Sequence, residues 1–143
     1  MRDFMEALSK QHSINGRFDL LPLETIDEVV RRSRVPNSPG LYVIFDGLGC
    51  QTNVIYIGRA GTIRQDGTWL SQGLSARLCR KQSGKYRKHY FREVIEQRKV
   101  PGLSFAWFAL QGDLGILPCL VEAQALQRYF EAHKCLPPLN KSC

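Results

Sequence analysis

Two short runs of β-branched and aromatic residues stand near one another, Leu41-Tyr42-Val43-Ile44-Phe45 and Val54-Ile55-Tyr56-Ile57. The polar stretch between them contains Asp46-Gly47-Leu48-Gly49, a turn-forming composition, so residues 39–58 predict an antiparallel hairpin. Each strand sets a tyrosine beside a glycine: Gly40-Leu41-Tyr42 on the first and Tyr56-Ile57-Gly58 on the second. Glycine weakens a strand and often marks the close approach of another backbone or a ligand. Residues 103–110 are apolar at nearly every position and predict a third strand, central in its sheet.

The other apolar positions repeat at helical spacing. Residues 1–12 predict a short helix with Phe4, Met5 and Leu8 on one side. Residues 17–22 read as a short edge strand ending at Pro22. Residues 24–34 predict a helix with Ile26, Val29 and Val30 inward, acids in its first turn and arginines in its last. Pro36 to Pro39 break it. Residues 59–69 read as a polar loop with a turn at Asp66-Gly67. Leu70, Leu74 and Leu78 then mark a helix over 70–81, and Tyr90, Phe91, Val94 and Ile95 mark another over 86–99. Pro118 suits the first turn of a last helix, which runs to about residue 134 with Leu126, Tyr129 and Phe130 inward. The order is a mixed α+β fold: a small three-stranded, largely antiparallel sheet flanked by helices. Residues 1–38 form an N-terminal extension of helix, short strand and helix, and residues 39–143 form the main domain.

Composition narrows the class. A chain of 143 residues, 43% hydrophobic and 23% charged, suits one domain with its own core. No apolar run is long enough for a membrane span and no signal-peptide core opens the chain, so a cytoplasmic, reducing location is expected. The cysteines, Cys50, Cys79, Cys119, Cys135 and Cys143, are odd in number and scattered, which argues against a disulfide framework or a zinc site.

Charge adds a partner. The net charge is +7, with three basic and six acidic side chains in residues 1–30, leaving seventeen basic and seven acidic in residues 31–143. A basic body suggests a polyanion. Residues 77–99 concentrate it in Arg77, Arg80, Lys81, Lys85, Arg87, Lys88, Arg92, Arg98 and Lys99, opposed by Glu93 and Glu96 and interleaved with Tyr86, His89, Tyr90 and Phe91. Such a stretch suits phosphate-backbone contact. Arg64 and Trp69 in the polar loop join Arg80, Lys81, Lys85, Arg87, Lys88 and Arg92 as candidate nucleic-acid contacts.

Glu122 is the one acid in the largely apolar start of the last helix, and its i+4 and i+7 neighbours are Leu126 and Tyr129. It falls on or beside the buried stripe, where a carboxylate needs a cation or hydrogen bonds. A hard ion such as Mg²⁺ meets that need, and so does an arginine or the helix dipole. Tyr42 and Tyr56 are commonly packing residues. A tyrosine becomes a useful base where a cation stabilises its phenolate, and Arg59 and Arg77 are candidates.

Taken together, Gly40-Leu41-Tyr42 and Tyr56-Ile57-Gly58 resemble the two motifs of the GIY-YIG endonuclease superfamily, the second intact and the first conservatively varied. The family has a basic residue just after the second motif, an arginine on the next helix, a glutamate on a later helix and a C-terminal asparagine; the matching positions are Arg59, Arg77, Glu122 and Asn140. The resemblance spans residues 39–140, about seven-tenths of the chain. It departs in a longer stretch between Gly58 and Arg77, which makes residues 61–73 extra, and in Lys81, which stands where many members carry histidine or tyrosine.

The resemblance implies metal-dependent hydrolysis of phosphodiester bonds in DNA, with RNA an alternative substrate and a non-catalytic binding module an alternative function. It implies that Glu122 holds one Mg²⁺ or Mn²⁺, that Tyr42 or Tyr56, preferentially Tyr56, is the general base, and that Arg77 with Arg59 stabilises the transition state. Asn140 would position Glu122 or the backbone of the site.

Overall fold

The structure, a computed structural model, describes residues 1–70, 72–82, 85–110 and 115–143, with the side chains of residues 81, 82, 85 and 88 outside that description. In chain order the elements are α1 (Arg2–Gln11), β1 (Asn15–Leu20), α2 (Ile26–Arg32), β2 (Gly40–Phe45), β3 (Val54–Ala60), α3 (Leu74–Leu78), β4 (Lys81–Gln82), β5 (Lys85–Tyr86), α4 (Arg87–Arg98), β6 (Leu103–Ala109) and α5 (Pro118–His133). The mixed α+β class expected from the sequence holds.

The main sheet has four antiparallel strands in the order β1-β6-β2-β3, not three. The fourth is the short strand of the N-terminal extension, which pairs with β6 from Asn15↔Phe108 to Leu20↔Leu103. β6 is buried throughout, and apolar but for Ser104, because it lies between two strands with helices over both faces. Period-two alternation sorts the side chains. Tyr42, Ile44, Phe105 and Trp107 face α2, α3 and α4. Leu41, Val43, Phe45, Ala106 and Phe108 face α1 and α5. β3 is left as an edge. No helix among the described residues is long and apolar enough to cross a membrane.

Three local expectations change. The helix expected over 70–81 shrinks to α3, because Leu74 and Leu78 are buried while Leu70 is 37% exposed. Its start is fixed from outside: the Asn37 side-chain oxygen accepts hydrogen bonds from the Gly73 and Ala76 backbone N–H groups and the Ser75 hydroxyl. Leu70 belongs instead to a small hairpin, where its N–H donates to Thr62 and that of Arg64 to Thr68. Gly67 turns it at φ +84°, and Asp66 accepts from the Thr68 N–H and hydroxyl. Lys81 consequently lies in β4, beyond the end of α3, rather than one turn along a helix from Arg77. On α5 the buried face runs through Val121, Ala125, Leu126 and Tyr129, which turns Phe130 outward, 46% exposed.

Candidate active site

The edge of β3 is covered along part of its length and open beyond. The tail after α5 covers it. Leu139 N–H donates to the Ile55 carbonyl at 2.9 Å. The Asn140 side-chain amide then accepts from Ile57 N–H at 2.9 Å and donates to Ile57 C=O at 2.8 Å, as a strand backbone would. Asn140 thus clamps the residue between Tyr56 and Gly58. Of the two roles the sequence left open, holding backbone or holding Glu122, the Asn140 amide forms its hydrogen bonds with backbone.

Past Ile57 the edge opens into a cleft of about 450 Å³ lined by Tyr56, Arg59, Arg77 and Glu122, with Thr62 and Gln72 among its other walls. These four sequence candidates come from β3, α3 and α5, that is, from the sheet edge and from helices on opposite faces. Thr62 and Gln72 carry no sequence signal that sets them apart from other polar loop residues.

Glu122 Oε2 accepts from Arg59 Nε at 3.0 Å, with the side chains 24% and 42% exposed. Burial pushes the Glu122 carboxyl above its ordinary range, while Arg59 and Arg77 pull it down. Its second oxygen has no partner among the described residues. Arg77 is half-buried, and its Nε is enclosed without a hydrogen-bond partner.

The tyrosines separate. Tyr42 is 0% exposed, whereas Tyr56 is half-buried and forms a wall of the cleft. Their rings lie 5.8 Å apart. Gly58, opposite Tyr42 in the ladder, makes room: a Cβ there would sit 2.6 Å from Tyr42 Oη and from a Tyr56 ring carbon. Burial raises Tyr56 to about 12, and Tyr42 adds to the rise, against the pull of Arg87 and Arg77. Arg59 is not among the cations acting on Tyr56; Arg87 is.

Arg87 is the main correction. Expected on the surface as a phosphate contact, it is 2% exposed, with one terminal nitrogen donating to Tyr42 Oη at 2.9 Å. The reason was present in the spacing: Arg87, Phe91, Val94 and Ile95 share the i, i+4, i+7, i+8 face of α4, and the last three are buried. Arg64, Arg80 and Arg92 are exposed and stay available for phosphate, and Trp69 is half-buried, paired with Ile63 across the small hairpin. The side chains of Lys81, Lys85 and Lys88 lie outside the described residues.

The donor set can be tested against the metal the resemblance implies. Among the described residues no three His, Cys, Asp or Glu side chains gather into a metal cluster. That composition does not fit an ion needing three or four protein ligands. It fits a hard, hydrated ion that takes one carboxylate and completes its shell with water and substrate oxygens; Glu122 is the carboxylate in the described lining of the cleft. Compared with protein families, curated proteins and solved structures, the chain matches none.

Proposed function

We propose that the protein is a divalent-metal-dependent endonuclease of the GIY-YIG kind, hydrolysing phosphodiester bonds in DNA. The observation that carries this is the convergence of Tyr56, Arg59, Arg77 and Glu122 on one open cleft from separate elements. The exposed arginines around a basic body supply sequence-independent affinity for a polyanion.

A Mg²⁺ or Mn²⁺ ion held by Glu122 would supply Lewis-acid stabilisation of charge on the scissile phosphate and the leaving oxygen. Arg77, half-buried with its Nε enclosed, meets the phosphate and stabilises charge that grows in the transition state. Arg59 neutralises Glu122 in the free protein and, being the more exposed partner, can turn to the phosphate. Tyr56, in the cleft wall, is the base that takes a proton from the attacking water. Tyr42 stands behind it and orients it.

This assignment has a pH signature. Tyr56 is held as the phenol at neutral pH. The reactive phenolate fraction therefore grows with pH, and cleavage should rise steadily from about pH 7 to about pH 10 instead of levelling near neutrality. The test is incubation of supercoiled plasmid, and separately of single- and double-stranded RNA, with protein plus Mg²⁺ or plus a chelator. Mg²⁺-dependent nicking or linearisation of DNA supports the proposal. Cleavage of RNA alone changes the substrate to RNA. Binding without cleavage of either makes the protein a binding module.

A further inference from the structure

Arg87 is among the largest fully buried side chains of the described residues. A guanidinium keeps its proton in proteins, so this is a cation inside the core. One Nη donates to the Tyr42 hydroxyl at 2.9 Å; Nε and the other Nη are buried and have no partner among the described residues. The guanidinium carbon lies 5.4 Å from the Tyr42 ring centre and 5.6 Å from that of Phe91. Ring faces ease the burial of a cation but add no negative charge. A buried charge without a counter-ion is expensive, and no carboxylate among the described residues pairs with Arg87.

The groups around this cation and the tyrosines come from several elements. Arg77 approaches from α3, and Tyr90 lies one turn along α4. Asp27 of α2 interacts with the thiol of Cys79, which burial pushes up to about 11 and which Arg87 pulls down. Asp27 itself is exposed. Among the described residues the Arg87 guanidinium donates to the Tyr42 phenol, and behind it, across the bare Cα of Gly58, stands Tyr56.

We propose that Arg87 is a positioning residue of the cleft: through the Tyr42 hydroxyl it fixes Tyr56 at the cleft wall and balances the negative charge of the tyrosine pair when Tyr56 gives up its phenolic proton. Tyr42 oxygen accepts from Arg87, which leaves its own O–H free to donate. A hydroxyl polarised by a cation is a stronger donor, so Tyr42 is primed to donate to a phenolate on Tyr56. In that step the Tyr56 O–H bond breaks, a buffer base takes the proton, and the electron pair stays on the oxygen, which later takes a proton from water. The use of this charge in catalysis rests on the endonuclease proposal; the charge balance itself is a property of the metal-free protein.

The test is made without metal or substrate. Protein labelled with 3-fluorotyrosine is titrated by ¹⁹F NMR, with the resonances assigned from Tyr42→Phe and Tyr56→Phe. Arg87→Met should raise the Tyr56 midpoint by about one pH unit or more, and Arg87→Lys should recover part of it. A purely structural plug would leave a folded Arg87→Met protein with an unchanged Tyr56 midpoint, and that result overturns the proposal. Should Arg87→Met fail to fold, Arg87→Gln decides, since it keeps a donor for the Tyr42 hydroxyl but removes the charge: its Tyr56 midpoint should also rise, and no movement overturns the proposal. A midpoint shift in a protein that cleaves nothing would sink the nuclease and keep the charge link. Cleavage without a shift would do the reverse.

Discussion

At one end of the cleft Glu122 meets Arg59 at 3.0 Å, an acid and a base that neutralise each other near solvent. Behind the cleft wall Arg87 lies against the rings of Tyr42 and Phe91, with no acid paired to it among the described residues. The first pair is partly exposed, weak and easily exchanged, since surface ion pairs contribute little and are screened. It can open to receive an ion or a phosphate at small cost. The second arrangement is enclosed, so its geometry persists and its positive charge awaits a negative one. In the proposed enzyme the exchangeable end admits substrate and the fixed end orients the base.

The largest effect should come from emptying the exchangeable end. Glu122→Ala removes the carboxylate that the described residues bring to the cleft, and cleavage should fall on the order of a thousandfold or more while DNA binding in a gel-shift assay persists. Arg77→Ala should lower turnover on the order of a hundredfold to a thousandfold, with a smaller change in DNA affinity; an equal loss of both would make Arg77 a binding residue only. At the fixed end, Tyr42→Phe strips Arg87 of its hydrogen bond to a side chain, and unfolding in urea should show a loss of about 2–3 kcal/mol.

Two smaller effects sharpen the contrast. Asn140→Ala removes two hydrogen bonds to the Ile57 backbone at a partly wet edge, and should destabilise by about 1–2 kcal/mol. Arg59→Ala removes a cation that lowers the raised Glu122 pKa, so the carboxylate takes up a proton at higher pH. Mg²⁺ binding needs the ionised form and fades as pH falls through that pKa. The fade should therefore move upward, and only modestly because Arg59 is exposed and screened by solvent. Calorimetric titration with Mg²⁺ across acidic pH measures it.

Most of the fold was legible because it rests on period. The hairpin of β2 and β3, the apolar β6 and the inward faces of α1, α2 and α5 follow from spacing, Phe130 apart. The start of α3 was not legible: Leu70 keeps helical spacing with Leu74, and only the tertiary contacts of Asn37 end the pattern at Gly73. The β1–β6 pairing joins residues distant in sequence, which periodicity does not report. In the site, residues tied to motifs came together, and Glu122 was marked by its acid character on an apolar face. Arg87 was misread because a cation among many cations drew attention to charge, while its place one turn before Phe91 put it on the buried face. Tyr42 and Tyr56 looked alike as letters; strand order buries the one on β2 and leaves the one on edge strand β3 facing the cleft.

The most direct measurement is cleavage of supercoiled plasmid in Mg²⁺ by the wild-type chain and by Glu122→Ala side by side, with supercoiled, nicked and linear DNA resolved on a gel. Nicked or linear product from the wild type, and none from a folded Glu122→Ala protein, is the expected result. Equal cleavage by both would contradict the assignment of the cleft as the nuclease site.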